Sequence, residues 1–532
     1  MLPMTKVAAV VDVPIGGARR VEVAGRAVML IRDDTTDRPA ATDGADATIR
    51  AYSAECPHAG APLDEGAFCA GRVICPWHKS VFRLDTGALI EPPALDPLPR
   101  FAVAVRDGDV YLSPEPLPAS AGDAGDAESG ADTRRFVIVG GGAAGICAAT
   151  SLREFGFAGD ITLITGEPQP AYDRTALSKF VVAGEMAADE VPPLRDAQFL
   201  AEHRIDVEPA HALRLDARRK QVGLADGRSL SFDRALIATG ATPVRPALPG
   251  AYLRGAHVLR TREDADAISH AVSPGTRVVL LGNSFIAMEA ASAMRGNGAD
   301  VMVVAPSRLP FVKQFGADVG KMFAALHARH GVRLCAAEAR ALEGDSAVSA
   351  VRLDSGERLP ADCVVLGVGV RPASEVVEGV ALEGDAIAVD AGMRTSADDV
   401  FAAGDVAAFP LPGTAQRQRV EHWRVAQEQA RLAARNMLGA RATYEGVPYF
   451  WTYHYGQRYD YLGHADGQHE VHILGDLSGQ RDDARFAAIY LRAGQVRAVL
   501  AGQYETQTAY LLERMRAPLT LEEVLAVLQR EH

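Results

Sequence analysis

The sequence contains no long apolar run and no excess of positive charge. No stretch of about eighteen consecutive apolar residues occurs in the 532-residue chain, so we expect no transmembrane helix. The N-terminal segment has one lysine and a short apolar stretch, without the apolar core and cleavage site of a signal peptide. The net charge of −13 argues against non-specific nucleic-acid binding and is compatible with a basic redox partner. We therefore expect a cytoplasmic protein that binds neither a membrane nor nucleic acid.

Cysteine is also scarce, with six residues in the whole chain. Cys147, Cys335 and Cys363 lie in apolar helix or strand patterns, which predicts buried core thiols. Cys69 is interpreted either as a packed strand residue or as a reserve thiol. This cysteine usage fits a reducing compartment.

The two remaining cysteines each stand close to a histidine. They form Cys56-Pro-His58 and Cys75-Pro-Trp-His78, with sixteen residues between the two motifs. Two thiolates on one iron and two imidazoles on the other can hold a [2Fe–2S] cluster, and the imidazoles raise its reduction potential. A zinc site is the alternative, but zinc fingers group the two cysteines together and the two histidines together. The pattern favours a Rieske-type cluster with Cys56, His58, Cys75 and His78 as metal ligands.

Residues 1–112 resemble the Rieske ferredoxins. The segment reads as short strands separated by turn signals, which predicts a small all-β domain. It departs from the family at one position, because Lys79 stands where the family usually has glycine after the second histidine. That departure leaves the ligands in place but puts the local turn and the charge beside the cluster in question.

Composition divides the rest of the chain. We expect a multidomain protein, with the small all-β Rieske domain followed by α/β doubly wound FAD and NAD(P) domains and a C-terminal α+β domain. The predicted boundaries are the Rieske domain at 1–112, a flexible linker at 113–133, the FAD domain in two parts at 134–246 and 374–446, the NAD(P) domain at 247–373, and the C-terminal domain at 447–532.

Three glycine-rich turns indicate a dinucleotide site. Gly140, Gly142 and Gly145 follow an apolar strand and open a helix, a spacing that lets the backbone approach a pyrophosphate. Glu167 ends the next strand, where a carboxylate can bind a ribose hydroxyl. The turns at Thr239-Gly240 and Gly404-Asp405 also follow apolar strands, and Asp405 can accept a hydrogen bond from a ribityl or phosphate-side hydroxyl.

A second, degenerate fingerprint indicates a nicotinamide nucleotide. Gly282 is followed by Ser284 and by an alanine in place of the second and third glycines, and both are small enough for a pyrophosphate to approach. No acid ends the following strand, where one would favour NADH, and Arg308 lies nearby. Whether NADH or NADPH is preferred is left open, because Arg308 can also pack elsewhere.

Residues 134–530 resemble the FAD-dependent ferredoxin reductases of aromatic-ring oxygenase systems and the apoptosis-inducing-factor-like flavoproteins. The segments that carry the resemblance are GGGAAG (140–145), EPQPAYDRTALSK (167–179), ATG (238–240), FAAGD (401–405) and VEHWRVAQEQA (420–430). The resemblance implies that Arg174 and Lys179 lie along the flavin, with Lys179 near its ring. A solvated surface lysine is the alternative for Lys179.

The same resemblance implies roles for several later residues. Glu289 faces the nicotinamide side of the flavin, Gly369 borders the nicotinamide, and Trp451 either stacks on the cofactors or packs in the domain core. Glu421, His422 and Trp423 contact the pyrimidine end of the flavin at a helix start, where His422 has a packing or backbone role. The catalytic candidates are therefore Lys179, Glu289 and Trp451.

The expected cofactors, FAD, a [2Fe–2S] cluster, and NADH or NADPH, define an electron path. Residues 170–185 contain no cysteine, which excludes the dithiol route of related disulfide reductases. A flavin accepts two electrons and can release them singly, so we expect electrons to pass from NAD(P)H through FAD to the cluster and on to a protein acceptor.

The partner is expected to be an electron acceptor such as a terminal oxygenase, and the chain a monomer or homodimer. The alternatives are a redox-sensing, apoptosis-inducing-factor-like interaction protein with slow turnover, or a reductase of a small acceptor such as a quinone with the cluster off the pathway.

Overall fold

The computed structural model describes residues 4–32, 49–118, 132–414, 416–465 and 469–530. The chain divides into two compact units. The first, called here the N-terminal unit, comprises Met1–Gly130, Glu154–Phe157 and Tyr504–His532, and the second, the α/β unit, comprises Ala131–Arg153 and Ala158–Gln503.

The described residues of the N-terminal unit contain ten strands. They are β1 (Thr5–Ala9), β2 (Ala18–Val23), β3 (Arg26–Arg32), β4 (Ile49–Ser53), β5 (Ala67–Cys69), β6 (Arg72–Ile74), β7 (Val81–Arg83), β8 (Leu89–Glu91), β9 (Arg100–Arg106) and β10 (Asp109–Pro116). Six make a sheet in the order β1-β10-β9-β4-β3-β2, and four make a second sheet in the order β5-β6-β7-β8. All pairings between these strands are antiparallel, as expected for an all-β domain.

Both cysteine–histidine motifs lie in loops that end at strands of the second sheet. One loop joins β4 to β5 and the other joins β6 to β7. Cys56 and Cys75 themselves belong to a hydrophobic core cluster that includes Leu63, Val73 and Phe82. The loops are therefore anchored at their cysteines by packed apolar side chains.

Two α-helices in the described part of Tyr504–His532 also belong to the N-terminal unit. They are Glu505–Arg514 and Leu521–Leu528, called here the C-terminal helix pair. The sequence assigns them to a module at 447–532, whereas the structure groups them with the N-terminal strands.

The α/β unit is larger. Its strands are β11 (Arg135–Val139), β12 (Asp160–Ile164), β13 (Ile205–Glu208), β14 (Ala212–Asp216), β15 (Gln221–Leu224), β16 (Ser229–Ser231), β17 (Arg234–Ile237), β18 (Ala241–Pro243), β19 (Ala256–His257), β20 (Arg277–Leu281), β21 (Asp300–Ala305), β22 (Arg333–Ala336), β23 (Ala339–Glu343), β24 (Ala350–Leu353), β25 (Arg358–Pro360), β26 (Cys363–Leu366), β27 (Val370–Pro372), β28 (Val377–Glu378), β29 (Leu382–Glu383), β30 (Ala386–Ala388), β31 (Val400–Ala402), β32 (Ala407–Pro410), β33 (Arg417–Gln418), β34 (Tyr449–His454), β35 (Gln457–Gly463), β36 (Glu470–Gly475), β37 (Phe486–Arg492) and β38 (Gln495–Gly502). The α-helices up to Met437 are α1 (Ala143–Glu154), α2 (Ala197–Glu202), α3 (Arg262–Ala271), α4 (Phe285–Gly296), α5 (Val312–Phe315), α6 (Ala317–Arg329) and α7 (Trp423–Met437).

Two five-stranded parallel sheets dominate this unit. Their orders are β13-β12-β11-β17-β31 and β19-β26-β20-β21-β22. In the first sheet the earliest strand along the chain, β11, lies in the middle, whereas in the second sheet the middle strand is β20 and the earliest strand, β19, lies at the edge. In both sheets the strand order reverses beside the middle strand, which is the doubly wound arrangement. Glycine turns follow the central strands β11 and β20, so both turns lie at the carboxyl edge where nucleotides bind in such sheets.

An antiparallel sheet follows, in the order β34-β35-β38-β37-β36. Its aromatic residues Tyr459, Tyr461 and Phe486 share a core with α4 and with Phe323 of α6. The predicted fold class is therefore confirmed.

The predicted linker at 113–133 overlaps the end of β10, and its residues 119–131 lie outside the described ranges.

Candidate functional site

The two cluster loops share one backbone pattern. The Cys56 carbonyl accepts a hydrogen bond from Gly60 N at 2.9 Å, and the Cys75 carbonyl accepts one from Lys79 N at 3.2 Å. The residue that closes each loop has a positive φ, +73° at Gly60 and +62° at Lys79. Two matching loops thus present one cysteine and one histidine each.

The four predicted ligands converge. The Nδ1 atoms of His58 and His78 lie 3.0 Å apart, and their rings meet edge to face with centroids 4.8 Å apart. Cys56 and Cys75 are buried, with 3% and 1% of their surfaces exposed, whereas both histidines are half-buried. Trp77, beside His78, is exposed.

Of the two cysteines in the cluster loops, Cys75 has the lower thiol pKa. Burial opposes ionisation of Cys75, but a hydrogen bond from Cys56, the backbone N–H groups of His78 and Trp77, and the charge of Lys79 together lower its pKa to about 7. The hydrogen bond to Cys75 and burial raise the pKa of Cys56. A thiolate is the form that binds a metal.

These residues fit a two-iron cluster. Among the described residues no three His, Cys, Asp or Glu side chains surround a single metal-ion position. A pair of cysteines and a pair of histidines is instead the donor set of a Rieske [2Fe–2S] centre, in which each iron takes two protein ligands. Cys69 stands apart in β5, half-buried, and burial raises its pKa to about 11, which favours the packing role over a reactive thiol.

A cavity of about 670 Å³ opens at the carboxyl edge of the first parallel sheet. A side chain at Gly140 would meet the Ala238 carbonyl at 2.2 Å, and one at Gly145 would meet the Gly140 carbonyl at 1.8 Å. A Cβ at Gly142 would meet nothing within 4 Å, so this glycine borders open space in the cavity wall. The turn therefore has the shape that a pyrophosphate requires.

The predicted polar contacts line the same cavity. Glu167 accepts a hydrogen bond from Tyr172 Oη at 2.7 Å and pairs with Arg174. Asp405 lies 3.3 Å from Arg260, and Thr239 Oγ1 donates to the Ala373 carbonyl at 2.6 Å. Gly240 and Gly404 have φ values of +71° and +83°, which glycine adopts readily.

Lys179 lies in a π-helical turn at Leu177–Val181, with 8% of its side chain exposed. Its Nζ lies 3.1 Å from Glu289 Oε2 and 5.8 Å from the centroid of the Trp451 ring. All three side chains line the cavity, so the structure brings together the predicted catalytic candidates. A solvated surface position for Lys179 does not agree with this burial.

Both carboxylate oxygens of Glu289 accept hydrogen bonds. Its carboxylate accepts hydrogen bonds from Ser178 Oγ at 2.7 Å and Lys179 Nζ at 3.1 Å, and from Thr452 Oγ1 at 2.9 Å and Tyr453 N at 3.0 Å. The last two donors come from β34, so this buried carboxylate joins α4, the π-helical turn and the antiparallel sheet. Its position is therefore fixed from three sides.

The start of α7 closes another wall of the cavity. Glu421 forms an ion pair with Arg419, and His422 is the residue that precedes the helix. Burial lowers the pKa of His422 to about 3, so its ring is neutral, and it packs against Phe450 with centroids 4.5 Å apart. His422 Nδ1 and Trp423 Nε1 are buried without a partner among the described residues, which leaves them for a bound molecule.

The second glycine turn reaches the cavity through Ser284 and Gly369, which line it, whereas Gly282 does not line it. Gly282 has φ +102°, and a Cβ there would meet the Gly367 carbonyl at 2.4 Å. Ser284 Oγ donates to that carbonyl at 3.0 Å and accepts from Ala287 N at the start of α4. Gly369, at φ +112°, borders open space. Arg308 is exposed beyond β21 and does not line the cavity, so nucleotide preference stays a prediction to be tested.

Sequence reasoning missed four partners of the predicted residues. Tyr172 and Arg260 hold Glu167 and Asp405, while Ser178 and Thr452 hold Glu289. Tyr172 and Ser178 lie within the quoted segment 167–179, so their neighbourhood was a usable signal, whereas Thr452 lies 163 residues from Glu289 along the chain. Nothing in the local sequence around Arg260 indicates its pairing with Asp405.

Protein-family models match both the part of the chain that forms the dinucleotide cavity and the part that carries the cysteine–histidine loops. The model described as "Pyridine nucleotide-disulphide oxidoreductase" matches residues 134–430, and the model described as "Rieske [2Fe-2S] domain" matches residues 4–102. The chain belongs to the pyridine nucleotide-disulphide oxidoreductase family and carries a Rieske domain. It is an FAD-dependent oxidoreductase of the ferredoxin reductase type, and its cofactors are FAD, NAD(P)H and a [2Fe–2S] cluster.

Named relatives include both kinds of protein that the sequence resembles. Apoptosis-inducing factor 3 of Mus musculus is 33% identical over 93% of this chain and 81% of its own length. The biphenyl dioxygenase system ferredoxin–NAD(+) reductase component of Paraburkholderia xenovorans (strain LB400) is 37% identical over 65% of this chain and 85% of its own length. A covalent putidaredoxin reductase–putidaredoxin complex contains a chain with a TM-score of 0.70 and 26% identity, covering 75% of this chain and 100% of that one.

No helix in the described ranges is long and apolar enough to cross a membrane.

Proposed function

We propose that this oxidoreductase passes electrons from NAD(P)H through FAD to its own Rieske cluster, and from there singly to a protein acceptor such as a terminal oxygenase. The observation that carries the proposal is that one chain holds both a dinucleotide cavity with a buried Lys179–Glu289 pair and a converging Cys2His2 cluster site. Bound flavin exchanges electron pairs with a nicotinamide and single electrons with an iron–sulfur centre.

The chain's residues have distinct parts in this proposal. Lys179 holds a positive charge in the cavity wall, where negative charge develops on reduction, and Glu289 keeps its ammonium in place. Trp451 packs against Lys179 and shields the cavity from water. The glycine turns at Gly142 and Gly369 leave the open space that a dinucleotide needs.

At the cluster site, Cys56 and Cys75 supply thiolates from the protein interior, and His58 and His78 supply imidazoles nearer the surface. Half-buried histidines beside exposed Trp77 make this face the exit for electrons. The relative named above as a ferredoxin–NAD(+) reductase component supports a protein acceptor over a small one.

An anaerobic titration tests the electron path. Limiting NADH and NADPH are added in separate runs to the holoprotein, and absorbance is followed at flavin and cluster wavelengths. We expect the flavin to bleach first and the cluster to be reduced next. A cluster that stays oxidised with excess nucleotide would contradict the internal transfer.

The variant His78→Ala separates protein and small acceptors. With cytochrome c as a one-electron probe and a benzoquinone as a small probe, we expect cytochrome c reduction to fall at least about tenfold while flavin bleaching continues. Undiminished cytochrome c reduction would place the cluster off the pathway. His270→Ala, a change at an exposed residue of α3, is the matched control.

Similarity to apoptosis-inducing factor 3 over 93% of the chain favours a second candidate, a redox-sensing interaction protein. Turnover distinguishes the two functions. Fast steady-state reduction of cytochrome c excludes the sensor, whereas a reduced flavin that persists under air with slow turnover supports it.

A further inference from the structure

Lys79 occupies a position in the second cluster loop that glycine occupies in the first. Gly60 and Lys79 each stand four residues after a cluster-loop cysteine and donate their N–H to that cysteine's carbonyl. The cysteines also donate alike, Cys56 N to the Ala61 carbonyl and Cys75 N to the Ser80 carbonyl, both at 2.9 Å. A left-handed conformation costs a lysine free energy that glycine does not lose. Something about the lysine side chain must offset that cost.

The side chain is fully buried, with 0% of the residue exposed. Its Nζ donates to the Pro76 carbonyl at 2.5 Å within the loop and to the Glu505 carbonyl at 3.0 Å. Lysine is almost never fully buried unless its ammonium is bound by other groups. Here the ammonium joins the second cluster loop to the first turn of the helix Glu505–Arg514.

The same helix contacts the second sheet (β5-β6-β7-β8), called here the cluster sheet, and its loops at two further points. Thr506 Oγ1 donates to the Glu65 carbonyl at 2.8 Å, near the end of the first cluster loop. At the other end of the helix, Arg72 Nη1 of β6 donates to both carboxylate oxygens of Glu513, at 2.9 and 3.0 Å. The helix therefore spans the small sheet from the cluster loops to β6.

We propose that Lys79 is a positioning residue that fastens the second cluster loop to the C-terminal helix pair and holds a buried positive charge beside Cys75. The helix pair thereby becomes part of the cluster's immediate support. This inference needs the cluster but not the electron path proposed above, so either can fail without the other.

Two consequences follow for the cluster and for the helix. The reduced cluster carries one more negative charge than the oxidised one, so a fixed positive charge nearby stabilises the reduced form and raises the reduction potential. The helix gains protection from opening because a charged donor holds its first turn.

The variants Lys79→Gly and Lys79→Met test both consequences on the full-length holoprotein. Glycine adopts the left-handed conformation at position 79 without strain. If the lysine side chain only filled space, Lys79→Gly would therefore stabilise the loop, and hydrogen exchange in Glu505–Arg514 would become slower. If Lys79 positions the loop against the helix, Lys79→Gly should instead make this hydrogen exchange at least about tenfold faster, because one charge-assisted hydrogen bond is lost. Methionine keeps the apolar stem and covers the case in which the glycine variant does not fold.

The cluster readout uses a chemical reductant, so it is independent of NAD(P)H. A dye-mediated redox titration followed by electron paramagnetic resonance is expected to show a lower reduction potential in both variants, with the Rieske signal retained. Lys6→Met, at an exposed lysine of the same unit paired with Asp109, is the control and should change neither readout. Wild-type exchange or a wild-type potential in Lys79→Met would overturn the inference.

Discussion

Glu289 is the buried charge on which the cavity wall depends. Three of its four donors are neutral groups, so removing its charge leaves Lys179 as a buried cation without its carboxylate. We expect Glu289→Gln to lower the free energy of unfolding of the α/β unit by about 3 kcal/mol, because breaking a buried pair leaves one charge uncompensated.

Urea unfolding followed by flavin fluorescence measures this loss. The control is Glu338→Gln, which breaks an exposed pair with Arg340 and should cost less than about 1 kcal/mol. Equal losses in the two variants would mean that the Lys179–Glu289 pair is not structurally important.

His454 makes stability depend on pH. The residue is fully buried, with Nε2 lying 3.0 Å from Thr452 Oγ1, and burial together with the charge of Lys179 lowers its pKa to about 3. Between the ordinary histidine pKa near 6.5 and this value, the unfolded chain binds a proton that the folded chain does not. Stability from this residue is therefore complete above about pH 6.5 and falls as the pH drops towards 3, by about 1.4 kcal/mol per pH unit.

His454→Gln should flatten that acid slope. The measurement is the urea midpoint at several values between about pH 7 and 4. His270→Gln, on the exposed face of α3, is the control and should leave the slope unchanged. An unaltered slope in His454→Gln would contradict the assignment.

At the scale of elements, two glycines of the turn between β11 and α1 have different roles, one in folding and the other in cofactor binding. Gly145 is needed for packing because a Cβ there would lie 1.8 Å from the Gly140 carbonyl, whereas Gly142 borders open space. We expect Gly142→Ala to fold normally but to bind FAD at least about tenfold more weakly, since the methyl group enters the space needed by a pyrophosphate. Gly145→Ala should instead fail to fold or lose stability.

Apoprotein titrated with FAD and followed by flavin fluorescence gives the affinity, and circular dichroism gives the fold. Unchanged affinity in Gly142→Ala would mean that the cofactor does not approach this glycine.

Turns and loops could be predicted from the sequence where their function depends on particular residues at a fixed spacing along the chain. The glycine turns after β11 and β20 and the two Cys–His loops can be read from short motifs, because each needs a particular residue at a fixed distance along the chain. The π-helical turn around Lys179 could not, since the sequence 177–181 contains no signal for an i→i+5 hydrogen bond. The donors to Glu289 from β34 were also hidden, because Thr452 lies 163 residues away.

At the scale of the whole molecule, the two ends of the chain belong to one unit. Composition assigns 447–532 to a single module, since its aromatic strands are followed directly by helical patterns. The contacts that group Tyr504–His532 with the N-terminal strands join residues more than 400 positions apart, as between Arg72 and Glu513, 441 residues apart. No periodicity or motif in either segment encodes such a pairing.

Ion pairs at this contact should be energetically coupled. Arg72 and Glu513 have 31% and 13% of their side chains exposed, and Arg516 links Glu513 to Glu91 of β8. A partly buried network of this kind is screened less by solvent than an isolated surface pair. In a double-mutant cycle of Arg72→Gln and Glu513→Gln, we expect a coupling energy of about 1 to 2 kcal/mol.

The cycle is measured from the unfolding of the N-terminal unit, followed by loss of cluster absorbance in urea. Arg514→Gln and Glu523→Gln form the control cycle, because that pair lies within the helix pair and is about half exposed on both sides, so its coupling should stay below about 0.5 kcal/mol. Additive losses for Arg72 and Glu513 would mean that the C-terminal helix pair packs on the cluster sheet without help from this charge network. Coupling would mean that the last residues of the chain stabilise the domain formed by the first ones.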